Sequence, residues 1–202
     1  MAEESSMWRF DPVAIGRAEC DAWVGYYRHE WGLVLRSAVV MVREGFAMPW
    51  PRTLLGAWYV LRANQLWAPY PDNDRDGARA VMRRFYALVA RDQHLTIDPD
   101  RAAELEVGWW HEHRVLQRER TDADETELVR GLREVYAYVY GVSETSLEAA
   151  ARPRARAMQV SDDWVAAGCD PDDDRLHEER RLLVESYTRL LDAVAPRAGQ
   201  VL

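Results

Sequence analysis

The sequence predicts an all-α, single-domain helical bundle of about six to seven helices, and three observations carry that prediction. Apolar residues recur at helical spacing through nearly the whole chain. Asp-Pro pairs, which start helices, stand at Asp11-Pro12, Asp98-Pro99 and Asp170-Pro171. No segment alternates apolar and polar residues as a half-buried strand would. An Asp side chain caps the first free N–H groups, and Pro at the first helical position gives up an N–H that has no acceptor there anyway.

The first helix is expected from Pro12 to about Phe46, with Val13, Cys20, Trp23, Val24, Tyr27, Trp31, Val34, Leu35, Ala38, Met41 and Val42 on one stripe at ~100° per residue. Gly25 and Gly32 lie on another face and mark either a close helix contact or a bend. Pro49 and Pro51 break the chain before a second helix, Pro51 to Trp67, which is apolar almost all round and therefore reads as a buried central rod. Pro69 and Pro71 end it. A third helix is expected from about Asp76 to His94, with Ala78, Val81, Met82, Phe85, Leu88 and Val89 inward. A fourth runs from Pro99 to about Arg120, and a fifth from about Asp124 to Tyr140, closed by Gly141. A sixth begins after Ser143, is interrupted near Pro153 and ends at Gly168. The last runs from Pro171 to about Ala195. Residues 1–10 and 196–202 read as flexible termini of one domain spanning 1–202.

At 202 residues the chain can bury a proper core, and 48% hydrophobic with 30% charged residues is a globular composition. The net charge of −8 repels phosphate backbones, so nucleic acid is not an expected partner. The apolar run Leu54–Ala68 is short for a membrane span and carries Arg62, Asn64 and Gln65, so no membrane partner is expected either. The opening Met-Ala-Glu-Glu-Ser-Ser lacks the charged start and apolar run of a secretion signal, which predicts a cytoplasmic protein. Cys20 and Cys169 are too few for a disulfide framework or a zinc site. All 26 basic residues are arginine, which rules out Schiff-base chemistry on lysine and a P-loop lysine. Nine tryptophans imply an aromatic core, pocket or partner surface.

Three constellations could carry chemistry. Arg62, with Asn64 and Gln65, is the lone charge in a helix expected to be buried. A buried guanidinium needs a carboxylate or an anionic ligand. Asp92, on the inner stripe of the third helix, is the expected partner, and the competing reading is a pocket floor with Trp58 and Trp67 beside it. On the fourth helix, Glu106, Trp110, His113 and Gln117 follow i, i+4, i+7, i+11 spacing. A carboxylate and an imidazole there could do acid–base work near neutral pH. They could also ligate metal if Glu19 or Glu30 joined them, but the Glu-x-x-His pair of di-iron bundles is absent and no metal ligand is assigned. Asp72-Asn73-Asp74-Arg75-Asp76-Gly77 copies the opening of a calcium loop, but Arg83 stands where the bidentate Glu belongs. Asp74 or Asp76 is instead a natural helix cap.

These residues predict a small-molecule-binding bundle with an aromatic-lined pocket between the first, second and fourth helices. If it is an enzyme, Glu106 and His113 are the acid–base pair. Arg62, Gln65 and Asn64 are the ligand anchors, with Trp58 and Trp110 as walls. The sequence names no cofactor. The alternatives are a non-catalytic homo-oligomeric interaction protein, with the aromatics on a shared surface, and a metal-dependent oxidase.

Overall fold

The computed structural model describes residues 6–119 and 125–195. Over these the chain is all-α: α1 (Pro12–Tyr27), α2 (Trp31–Phe46), α3 (Trp50–Trp67), α4 (Arg75–Asp92), α5 (Pro99–Glu119), α6 (Thr126–Tyr140), α7 (Glu148–Ala166) and α8 (Arg175–Val194), with short 3-10 turns at Ser6–Trp8 and Glu144–Leu147. The eight helices slightly exceed the expected number because the long first helix is two. Each helix packs on the next in chain order, and α8 packs back on α1, so the helices close into a ring. No helix among the described residues is long and apolar enough to cross a membrane.

The break between α1 and α2 falls at Arg28-His29-Glu30. His29 takes a left-handed φ of 58°, and the Glu30 N–H donates to the Gly25 carbonyl at 2.7 Å. A Cβ on Gly25 would stand 3.1 Å from the Glu30 carbonyl oxygen and 3.0 Å from Val34, so the missing side chain is what lets α2 fold back tightly here. The apolar stripe stays in register across this reversal, which is why periodicity alone reads one helix. The ring closes by a second close approach. At Gly16 a Cβ would lie 2.7 Å from the Val184 backbone nitrogen, so α1 and α8 touch almost backbone to backbone.

Two of the three Asp-Pro pairs start helices as expected. Asp11 accepts from the Val13 N–H at 2.8 Å, and Asp98 accepts from the Asp100 N–H at 2.9 Å, each one residue ahead of a Pro at the first position. The third does not: α8 starts at Arg175. Asp170 and Asp173 spend their carboxylates on local turns, accepting from the Asp172 and Arg175 N–H groups, and the Trp164 indole N–H pins the Asp170 carbonyl at 2.7 Å. Pro153 also fails to interrupt its helix. It sits inside α7, close enough to the start at Glu148 that little of the hydrogen-bond ladder lies ahead of it. Asp74 caps α4 through the Gly77 N–H at 2.8 Å, so this carboxylate of the calcium-like segment serves the helix.

Near the N-terminus, Met7 and Phe10 are buried, so the inner part of the segment expected to be flexible is packed against the core. The remaining expected flexible residues, 1–5 and 196–202, and the expected helix ends at Arg120 and Asp124, lie outside the described residues.

The largest departure concerns α3. It is not an interior rod: Trp50, Leu54, Leu55 and Trp58 are 41–58% exposed along one face, while Thr53, Gly56, Ala57, Leu61 and Ala63 are buried on the other. Small residues on the inner face let α3 sit close to α2 and α4, which leaves the large ones outside. Val13, placed on the inner stripe of the first helix, is likewise exposed.

Candidate functional site

The ring of helices surrounds a cavity of about 210 Å³, and every helix contributes to its wall. From α1 come Glu19 and Trp23, from α2 Ala38 and Met41, from α3 Val60 and Asn64, from α4 Phe85 and Tyr86, from α5 Glu106, Trp109 and Trp110, from α6 Tyr136 and Tyr140, from α7 Arg154, and from α8 Tyr187. The wall is mostly aromatic and aliphatic, with a few converging polar groups, the usual make-up of a ligand site.

Among the described residues the buried guanidinium is that of Arg154, which is 7% exposed. Its Nε and Nη2 both donate to Glu19 Oε1, at 3.1 and 2.5 Å, and its Nη1 donates to the Tyr136 hydroxyl at 2.8 Å. The guanidinium also lies over the Trp109 ring, 4.8 Å from its centre. Burial alone would lower the guanidinium's proton affinity. The Glu19 carboxylate, followed by Tyr136, Tyr187 and Glu106, more than reverses this and holds it charged well above the usual arginine range. The same burial pushes the Tyr136 phenol up to about 12, so the hydroxyl stays protonated.

Glu106 lines the same cavity and holds two neutral donors. Tyr86 donates to its Oε2 at 2.8 Å and the Trp110 indole N–H to its Oε1 at 3.2 Å. Two buried polar atoms of the wall have no hydrogen-bond partner: Glu19 Oε2 and the Trp109 indole nitrogen. An unpaired buried polar atom carries a desolvation cost of about 1–3 kcal/mol.

A second, open cleft of about 960 Å³ lies beside the ring, lined by residues that include Tyr26, Tyr27, Trp31, Gln65, Tyr70, His113, Arg114, Gln117 and Asp162. Here His113 Nε2 is 3.2 Å from Asp162 Oδ2, and Gln117 donates to Asp162 Oδ1 at 2.7 Å and to the Tyr27 hydroxyl at 3.0 Å. Arg114 donates to the Tyr26 hydroxyl at 2.9 Å and lies over Trp67 and Tyr70. A void of about 70 Å³, lined by Tyr26, Asn64, Trp67, Trp110, His113 and Arg114 among others, lies between cleft and cavity and shares walls with both.

The residues singled out from the sequence are therefore split. Glu106, Trp110 and Asn64 line the interior cavity, while Gln65 and His113 line the outer cleft. Glu106 and His113 do not pair with each other: seven residues put them on one face but two turns apart, about 10 Å along the axis. Each finds a partner on another helix instead, Tyr86 and Asp162 respectively. Arg62 is only partly buried, hydrogen-bonds to Gln65 one turn on, and lines neither space. Its expected partner Asp92 is taken by Arg52. The α3–α4 hairpin explains this, because antiparallel packing sets the last turn of α4 beside the first turn of α3, ten residues from Arg62. Trp58 stands on the exposed face of α3 and walls neither space. For metal, Glu106 and His113 gather no third ligand from Glu19 or Glu30, and no group of three or more His, Cys, Asp or Glu side chains converges among the described residues.

Glu19 and Arg154 carry the interior polar site, and Arg154 does not stand out in the sequence. The available signal was that Arg154 and Met158 share a helix face with Ala150, Ala151 and Ala157, in a helix dense with other arginines that masked it. Asp162 carries no local signal, because its partner His113 lies 49 residues away. Compared with protein-family models, curated proteins and solved structures, the chain has no match.

Proposed function

We propose that this chain is a small-molecule-binding helical bundle whose ligand occupies the cavity at the centre of the helix ring. One observation supports this above the others: a ligand-sized space walled by all eight helices contains unpartnered polar atoms, Glu19 Oε2 and Trp109 Nε1, on an otherwise apolar and aromatic surface. Purely structural interiors fill such spaces with side chains and pair such atoms. By volume the cavity suits a molecule of roughly eight to ten non-hydrogen atoms, since a 150 Å³ apolar cavity holds benzene. The outer cleft and the intervening void form the entry route in this reading, with Tyr26 and Arg114 between them. Both cysteines are free thiols, in keeping with a cytoplasmic location.

A thermal-shift titration with benzyl alcohol tests the proposal. The unfolding temperature should rise with ligand concentration for the native chain and stay constant for Ala38→Phe, whose added ring fills the cavity. No shift for the native chain would remove the proposal.

The exposed face of α3 favours a second reading, a homo-oligomer. Trp50, Leu54 and Trp58 are four residues apart and at least half exposed, a spacing that is self-complementary about Leu54. Two such faces packed antiparallel would set Trp50 against the second copy's Trp58. Sedimentation at micromolar concentration decides it. A dimer that Leu54→Glu converts to monomer supports the reading, and a native monomer rejects it.

A further inference from the structure

From the charges in the cavity wall, we propose that the ligand is a small organic cation, an amine protonated at neutral pH, held between the Glu106 carboxylate and the surrounding aromatic rings. This rests on the interior cavity being the binding site. Among the described residues that line it, the charged groups are Glu19, Glu106 and Arg154: two carboxylates and one guanidinium. The wall is thus one positive charge short of balance. Arg154 is a poor anchor for an anion, because its charge is already paired with Glu19, on which Nε and Nη2 both donate.

Acceptor capacity, by contrast, is in surplus. Glu19 Oε2 accepts no well-formed hydrogen bond, with the Tyr187 hydroxyl beside this carboxylate, and Glu106 is held by two neutral donors with no cation directly against it. Arg154 acts on the part-buried Glu106 only through space and is itself paired with Glu19, so an entering ammonium group would give Glu106 a counter-charge in direct contact. The rings of Tyr86, Trp110 and Tyr136 present further favourable surface to a cation. The unpartnered Trp109 N–H leaves room for one acceptor on the same ligand, such as a hydroxyl or ether oxygen.

Three molecules of nearly equal size and different charge test the class: benzylamine, benzyl alcohol and benzoate, titrated calorimetrically at pH 7. Benzylamine should bind at least tenfold more tightly than benzyl alcohol, and benzoate should not bind. In Glu106→Gln the amine should lose that tenfold preference while benzyl alcohol binds as before. Tyr86→Phe, which keeps the carboxylate and removes one neutral donor, should retain the amine preference and guards against misreading a poorly folded Glu106→Gln. Benzyl alcohol or benzoate binding as tightly as the amine would overturn the cation assignment and leave the cavity as the site. If none of the three binds, the cavity reading itself fails.

Discussion

Glu19 and Arg154 lie 135 residues apart in the chain and meet in the middle of the helix ring, both essentially shut off from solvent. One comes from α1 and the other from α7, helices that touch through α8, so the pair ties together the two ends of the chain. Breaking it from one side strands a charge. Arg154→Met should cost about 3–5 kcal/mol in urea unfolding, because Glu19 is then buried without a counter-charge. The double variant Glu19→Leu with Arg154→Met should recover most of that loss. If the double variant is as unstable as the single one, charge pairing is not what holds this site.

Glu179 gives the protein a pH dependence opposite to that of most carboxylates. It is fully buried on α8, neither of its oxygens accepts a well-formed hydrogen bond, and its polar neighbours are the Cys20 thiol and the Ser161 hydroxyl. Burial, with the Glu19 charge adding to it, pushes its carboxyl up to about 8. The folded state therefore keeps a proton that the unfolded chain has already lost above about pH 4.5. Between those two values the folded state binds more protons, so stability from this group is intact below pH 4.5 and falls toward pH 8, by roughly 1.4 kcal/mol per pH unit. Chemical denaturation across pH 5–8 should show this slope in the native chain and a flatter one in Glu179→Gln. Equal slopes would mean the carboxyl is charged inside the fold.

Gly16 marks where the ring closes. Gly16→Ala must push a methyl group against the Val184 backbone, 2.7 Å away, which cannot rotate aside. The expected loss is about 1–3 kcal/mol, although alanine is the better helix former. Gly32→Ala, where the added atom meets nothing within 4 Å, should instead stabilise the chain by up to ~1 kcal/mol. Thermal unfolding of the two variants separates the cases.

Arg62 is only partly buried, lines neither the cavity nor the cleft, and is hydrogen-bonded to Gln65. Arg62→Ala should change stability by less than about 1 kcal/mol and leave benzyl alcohol binding untouched. A large loss of binding would return Arg62 to the site.

Much of the helical architecture is legible in the residues themselves. The caps Asp11, Asp74 and Asp98 and the terminator Gly141 act locally, and so do the apolar stripes of α4 and α6. What escapes is long-range. Gly25 reads as a close helix contact or a bend, but only the folded hairpin shows that Val34 and Glu30 are what comes close. The apolar girth of α3 suggests burial, but burial requires partners on all sides, and α3 has them only along the face of Thr53, Gly56, Ala57 and Ala63. For the site, Glu106, Trp110 and Asn64 stand out as polar or amphipathic groups beside a core stripe, and all three line the cavity. Arg154 is one arginine among many, and nothing short of the ring closure sets it against Glu19.

The most direct measurement is a crystal structure of the protein soaked with benzylamine. The ring-cavity account predicts the amine inside the helix ring, its nitrogen about 3 Å from a carboxylate oxygen of Glu106 or Glu19. Benzylamine found in the outer cleft beside His113 and Asp162, with only water between Glu106 and Arg154, would contradict it.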